Sequence, residues 1–382
     1  MQKIPNPFTP GFGGKPQFFF GRQAEVASMR RALQDPNSPF RAVFVTGNRG
    51  CGKTALIERI SSMARKLQWN AIDVHSSHAS QTIVKSLARA SQQTEEKSFS
   101  PTGLGVSLGS VSVSTTRTYD ELDLTALLLE RSQRMTDGRG VFISIDEVQK
   151  ISEEDMENVC AAFQMSLRKG MPVMLVLAGL PGAKEKVANY EGCTFMQRAQ
   201  EIELGSLLID ETHEAYASML AHVENAEYRE DTIAALARRS LGHPYLMQLL
   251  GYYLVEQASA SNISDTLKLE AAKVEAAFAP SYLAYRANVL EPSLARLGDR
   301  ALAYLTAVAT HLDENRVART ASVAEAMNMS EQQASTYRQR LIKRRLIAPA
   351  GWGYVTFCLP YLAQFLTERR EQKAPSSKQW LN

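Results

Sequence analysis

The sequence has no run approaching the ~20 apolar residues that a membrane-spanning helix needs, so a membrane role is not expected. It has only four cysteines, Cys51, Cys160, Cys193 and Cys358, and their separations match neither a disulfide framework nor a metal-ligand pattern. Free thiols in a reducing compartment are the expectation. Met1 to Phe20 is rich in Pro, Gly and Phe and lacks a basic stretch followed by an apolar one. No signal peptide is therefore read there, and the protein is expected to be cytoplasmic. Charge of one sign is also scarce: 43 Lys and Arg face 40 Asp and Glu, a net +3. A case for nucleic acid must then rest on where charge sits, not on how much there is. What remains is an ordinary globular composition, 45% hydrophobic and 22% charged over 382 residues, enough for two to three domains.

Hydrophobic periodicity divides the chain. Residues 1–17 read as an extended arm. Glu25 to Leu33 has helical spacing, and Ala42 to Thr46 is a short β-branched run ending in glycine. Thr54 to Leu67 carries a helical stripe of Leu56, Ile57, Ile60, Met63, Ala64 and Leu67. Further buried strands are predicted at Ala71 to Val74, Val141 to Ile145 and Val173 to Ala178, with a weaker one at Glu201 to Leu204. Continuous apolar strands alternating with helices imply an α/β fold with a parallel sheet covered on both faces. Residues 98–118, rich in Ser, Gly and Thr, interrupt the pattern as an inserted hairpin or a flexible loop. Asp210 to about Leu290 reads as helical throughout, a lid over 209–292. A smaller domain follows at 293–372, then a tail at 373–382.

Gly47-Asn48-Arg49-Gly50-Cys51-Gly52-Lys53-Thr54 fits the phosphate-loop pattern, with a strand leading in and an amphipathic helix leading out. Glycines let backbone N–H groups wrap a phosphate, and the helix N-terminus adds its unpaired donors and dipole. Lys53 is placed to reach the β- and γ-phosphates of ATP, and the Thr54 hydroxyl to ligate Mg²⁺. Val141 to Ile145 ends in Asp146 and Glu147. A strand next to the loop's own strand would bring Asp146 to the Mg²⁺ shell and let Glu147 act as general base on the attacking water. No Asn-Lys-x-Asp segment for reading guanine occurs.

With these motifs the chain resembles, from about Phe18 to its C-terminus, the AAA+ superfamily and its STAND relatives. The nearest likeness is to ATPases akin to replication initiators and Tn7-type transposition regulators. Phe20-Gly21-Arg22-Gln23-Ala24-Glu25 resembles the family's element that packs near adenine, which implies nucleotide contact for Arg22. Asp146-Glu147-Val148-Gln149 resembles its acidic strand end. Phe195-Met196-Gln197-Arg198 sits where the family carries an arginine finger, which implies that Arg198 acts on a neighbour's nucleotide in a homo-oligomer. Gly242-His243-Pro244 resembles the lid element that places Pro244 at the nucleotide. Two departures stand out. Ala178-Gly179-Leu180-Pro181 lacks the polar sensor of many relatives, and Pro244 stands where initiators carry an arginine, with Arg238 and Arg239 one turn earlier. Slow, switch-like hydrolysis follows.

The C-terminal segment reads as helix Asp299 to Thr310, helix Ser322 to Met327, a helix from Ser330 to about Arg345, then strands Leu346 to Ala348 and Tyr354 to Cys358. This is the winged-helix order. In the third helix Ala334, Tyr337 and Leu341 should pack inward. Gln332, Ser335, Thr336, Gln339 and Lys343 face outward, flanked by Arg338, Arg340 and Arg344. Six basic residues face two acidic ones from Arg319 to Arg345, so positive charge is concentrated where duplex DNA would be contacted. A winged helix that regulates the molecule itself or binds a partner protein is the alternative.

Overall fold

The computed structural model describes residues 6–11, 18–75, 77–98, 123–133, 139–260 and 266–373. Residues 99–118 of the hairpin or loop expected at 98–118 lie outside the described residues. The chain forms two compact units: residues 22–46 with 56–203, and residues 47–55 grouped with 1–21 and 204–382.

The first unit is built on a sheet. Its elements in chain order are α1 (Gln23–Gln34), β1 (Ala42–Gly47), α2 (Lys53–Lys66), β2 (Asn70–Val74), α3 (Ala79–Ser98), α4 (Leu124–Gln133), β3 (Val141–Ile145), α5 (Glu153–Arg168), β4 (Val173–Gly179), α6 (Ala183–Ala188) and β5 (Gln200–Leu204). The strands lie in the order β2-β3-β4-β1-β5, and the pairs β2–β3, β3–β4 and β4–β1 are parallel. Every residue of β3 and β4 is buried, as apolar runs without alternation require of strands covered on both faces. The order corrects one expectation. β3 is not next to β1, because β4 lies between them, so their C-terminal ends stand about 10 Å apart at ~4.8 Å per strand. Nothing in the local pattern of a strand encodes which neighbour it takes.

The second unit has one hydrophobic core running through all its helices. Its helical part comprises α7 (Ile209–Leu220), β6 (Ala226–Tyr228), α8 (Glu230–Ser240), α9 (Pro244–Ala260), β7 (Leu267–Leu269), α10 (Ala271–Tyr285) and α11 (Glu291–Leu294). The expectation of helix throughout is corrected here. β6 and β7 pair in parallel, and Leu267 and Leu269 are buried while Lys268 faces out. Three residues of alternation are too few to stand out among helices.

The N-terminal arm is pinned to this part. Phe8 is 1% exposed and its ring lies against Gly251 of α9, where a Cβ would come within 2.2 Å of it. Thr9 N–H donates to Gln248 Oε1 at 2.8 Å. The C-terminal part follows as α12 (Asp299–Thr310), β8 (Ala318–Arg319), α13 (Thr320–Ala326), α14 (Glu331–Lys343), β9 (Ile347–Pro349), β10 (Tyr354–Phe357) and α15 (Leu362–Lys373). β10 pairs antiparallel with both β8 and β9. This is the element order of a winged helix, as expected, with Trp352 at the wing tip 97% exposed. Ser330 caps α14 reciprocally with Gln333. The second helix, expected to start at Ser322, begins two residues earlier at Thr320.

Candidate nucleotide site

β1 feeds directly into the glycine-rich loop, and Lys53 opens α2. Gly50 and Gly52 take φ of 75° and 96°, a region costly for residues with a side chain. Thr54, second in α2, is exposed, and Lys53 is buried at 7% exposure. The Lys53 ammonium turns back on its own loop, donating to the Gly47 carbonyl at 2.8 Å and the Asn48 carbonyl at 2.9 Å. Cys51 is buried 3.9 Å from Lys53 Nζ, and Arg49 is exposed.

The start of α9 lies on this loop. Tyr245 N–H donates to the Gly50 carbonyl at 3.1 Å. A Cβ on Gly50 would come 2.7 Å from Tyr245 Cβ and 2.9 Å from His243 Cε1, so only glycine fits beneath the lid. Pro244 Cγ lies 3.9 Å from the corresponding position on Gly52. His243 is 2% exposed, edge-on to Tyr285 at 4.9 Å, and neither ring nitrogen has a hydrogen-bond partner among the described residues. Burial pushes its pKa down to about 4, offset only in part by the backbone of Arg49, with Lys53 lowering it further.

A second contact to the loop comes from the C-terminal part. Asn48 Nδ2 donates to the Arg345 carbonyl at 2.7 Å. Arg345 lies two residues past α14 with φ 52°, a strained setting that turns the chain into β9. Tyr245 and Arg345 were not singled out from the sequence. Both act through backbone atoms, which any residue type supplies, so no side-chain signal could mark them.

The sheet unit holds the other expected residues. Asp146 and Glu147 leave the C-terminal end of β3, both half-buried. Glu147 sits at φ 56°, a left-handed setting that costs a non-glycine residue of order 1–3 kcal/mol. Gln149 Nε2 donates to Glu147 Oε2 at 2.7 Å, and Gln149 Oε1 accepts from the Leu180 N–H at 3.3 Å. Gln149 thus ties the Glu147 carboxylate to the end of β4, where the polar sensor was missing. Its two-residue spacing from Glu147 on a tight turn was the available signal. Arg198 is exposed at the end of the 3₁₀ stretch Glu191–Arg198 and makes no ion pair among the described residues. Arg22 caps α1 in a left-handed turn after Gly21. Arg239, near the absent lid arginine, is bound by Glu275 and stacked over Phe278 at 4.6 Å.

On α14, Gln332, Thr336, Gln339, Arg340 and Lys343 are exposed. Ser335 and Arg338 are half-buried and bonded to each other at 3.2 Å. Arg344 does not join this face: its guanidinium donates to the Arg296 carbonyl at 3.1 Å. Ala334 and Leu341 are buried and Tyr337 half-buried against the core, as expected.

No curated protein matches the chain's sequence. Residues 19–179 match the family described as the AAA ATPase domain, and residues 287–366 match a domain of unknown function (DUF8462). Among solved structures, the Walker-type ATPase PABY2304 of Pyrococcus abyssi is 15% identical at a TM-score of 0.64, covering 91% of this chain and 96% of that one. The ORC2 protein of Aeropyrum pernix, in ADPNP–ADP complexes, is 12% identical at a TM-score of 0.63, covering 95% and 98%. Residues 19–179 of this chain thus match the AAA ATPase domain family, and the fold resembles those of the two solved structures.

Proposed function

We propose that this protein binds and slowly hydrolyses ATP as a switch, and that its nucleotide state sets how the C-terminal winged helix engages duplex DNA. The observation that carries this reading is the hydrogen bond from Asn48, inside the phosphate loop, to the Arg345 carbonyl just past α14. Whatever rearranges the loop also loads or releases the end of the helix that carries Gln332, Thr336, Gln339, Arg340 and Lys343.

The loop fits a nucleotide: an N-terminal helix end, glycines at positive φ, and a buried lysine whose ammonium lies at the loop carbonyls of Gly47 and Asn48. On binding, Lys53 Nζ exchanges the Gly47 and Asn48 carbonyls for phosphate oxygens, and the backbone N–H groups of residues 48–53 turn inward. Thr54, a hydroxyl at the start of α2, and Asp146, a carboxylate at the end of β3, are each of a chemistry that suits a hard cation such as Mg²⁺, which would supply charge neutralisation at the phosphates. Glu147 accepts the proton of the attacking water, held in place by Gln149. His243, Pro244 and Tyr245 of the lid lie on the loop, and Arg22 is the residue proposed to meet the adenine. With no polar sensor after β4 and Arg239 held by Glu275, few groups stabilise the developing charge, so turnover is slow. Arg198, exposed and without an ion pair among the described residues, completes the site of a neighbouring copy.

A second reading draws on the same closure: the winged helix is a latch on the phosphate loop that regulates the molecule or is released to a partner protein.

The deciding experiment measures mass and size of the Glu147→Gln chain with ATP, with ADP and with a fluorescent duplex. The expected result is an ATP-dependent oligomer that Arg198→Ala prevents. Duplex binding should weaken with salt at a slope of about −0.9 per phosphate contacted. Absence of duplex binding with ATP at low salt, together with tightly retained ADP, overturns the DNA reading in favour of the latch.

A further inference from the structure

Beyond the nucleotide site, the C-terminal part contains a groove of about 1380 Å³ between α12, the α13–α14 turn, α14 and α15. Arg300 at the start of α12, Arg340 on α14, and Arg369 and Arg370 near the end of α15 all line it. None of the four makes an ion pair or side-chain hydrogen bond among the described residues. Asp299 is the one carboxylate among the lining residues. The floor between the guanidinium groups is apolar: Ala303, Ala307, Met327, Tyr337 and Leu366.

From this combination we infer that the groove is a docking site for an acidic amphipathic helix of a partner protein. The volume exceeds the ~300–1,000 Å³ of a small-ligand pocket and suits a helix ~10–12 Å across with its side chains. Four unpaired guanidinium groups present planar forks that match carboxylates in pairs. A helix with leucines on one face and glutamates on its flanks covers the floor and meets the arginines at once. A phosphodiester backbone would satisfy the arginines but leave the apolar floor wet. Thr336 and Arg340 belong both to the groove and to the exposed face of α14. The docked helix and a duplex on α14 therefore compete.

The test uses the full chain and a fluorescein-labelled 15-residue peptide of Glu, Leu and Ala, with leucines at helical spacing. A scrambled peptide of the same composition and a labelled 20-base-pair duplex serve as comparisons. The acidic amphipathic peptide is expected to bind in roughly the micromolar range, at least tenfold more tightly than the scramble. The double variant Arg369→Glu, Arg370→Glu should weaken it about tenfold or more, with thermal stability and ATP affinity unchanged. Ala303→Trp, which fills the floor and leaves charge alone, should weaken it comparably and serves if the double variant is unstable. Equal binding of the two peptides overturns the proposal. So does a loss of duplex affinity in Arg369→Glu, Arg370→Glu as large as the loss of peptide affinity, because the groove is then a nucleic-acid surface. Loss of DNA binding by the wild-type chain, with peptide binding intact, would sink the proposed function and leave this site standing.

Discussion

His243 sits in an environment far from that of an ordinary imidazole. It is buried beneath the phosphate loop without a partner for either ring nitrogen, and its pKa is pushed down to about 4. An unfolded imidazole titrates near 6.5. Above that pH both folded and unfolded states are neutral and burial has no protonation cost. As the pH falls from 6.5 toward 4, the unfolded chain takes up a proton that the folded state refuses. Stability is lost across that window, to about 3 kcal/mol in total. Urea midpoints at pH 7.5 and pH 5.0 check this. The wild-type chain should lose stability between the two, and His243→Gln should lose distinctly less. Equal losses would show that another group carries the pH dependence.

At this scale legibility follows chemistry. Lys53, Thr54, Asp146 and Glu147 stand out in the sequence because phosphate and metal chemistry demand those residue types at those offsets. The Asn48–Arg345 contact could not be read, because its acceptor is a carbonyl. Nor could the reach of the long Arg344 side chain back to the Arg296 carbonyl be read from its position on the helix wheel.

Among the elements, the N-terminal arm and α9 depend on each other. Phe8 fills the space over Gly251 that any Cβ would take, and it packs against Tyr216 with ring centres 6.2 Å apart. Truncating a buried Phe to Ala typically costs about 3–5 kcal/mol. Phe8→Ala should therefore lower the melting temperature of the full chain. Gly251→Ala should do so too, by evicting the ring, and the double variant should cost much less than the sum of the two. Calorimetry of the four chains decides this, and simple additivity would contradict the packing described. Strands β1 to β5 and helices α12 and α14 were legible within a residue or two, since their apolar runs or stripes extend over at least five residues. The β6–β7 pair was not, being three residues a side and held by partners distant in sequence. Strand order was equally hidden, which is why β4 was not foreseen between β1 and β3.

For the whole molecule, the central claim is a coupling. A phosphate loop that grips its own carbonyls through Lys53 also grips the end of α14 through Asn48. Binding at one place must then be felt at the other, by a free energy that is the same in both directions. The likeness to Walker-type and ORC2 structures concerns the fold alone, so the coupling stands on this chain's own contacts. The measurement that tests it most directly is amide hydrogen exchange of residues 341–349 in the Glu147→Gln chain, with and without ATP. ATP should raise exchange there as Asn48 releases the Arg345 carbonyl, and Asn48→Ala should show the raised level without nucleotide. Protection in 341–349 that is identical with and without ATP would contradict the account.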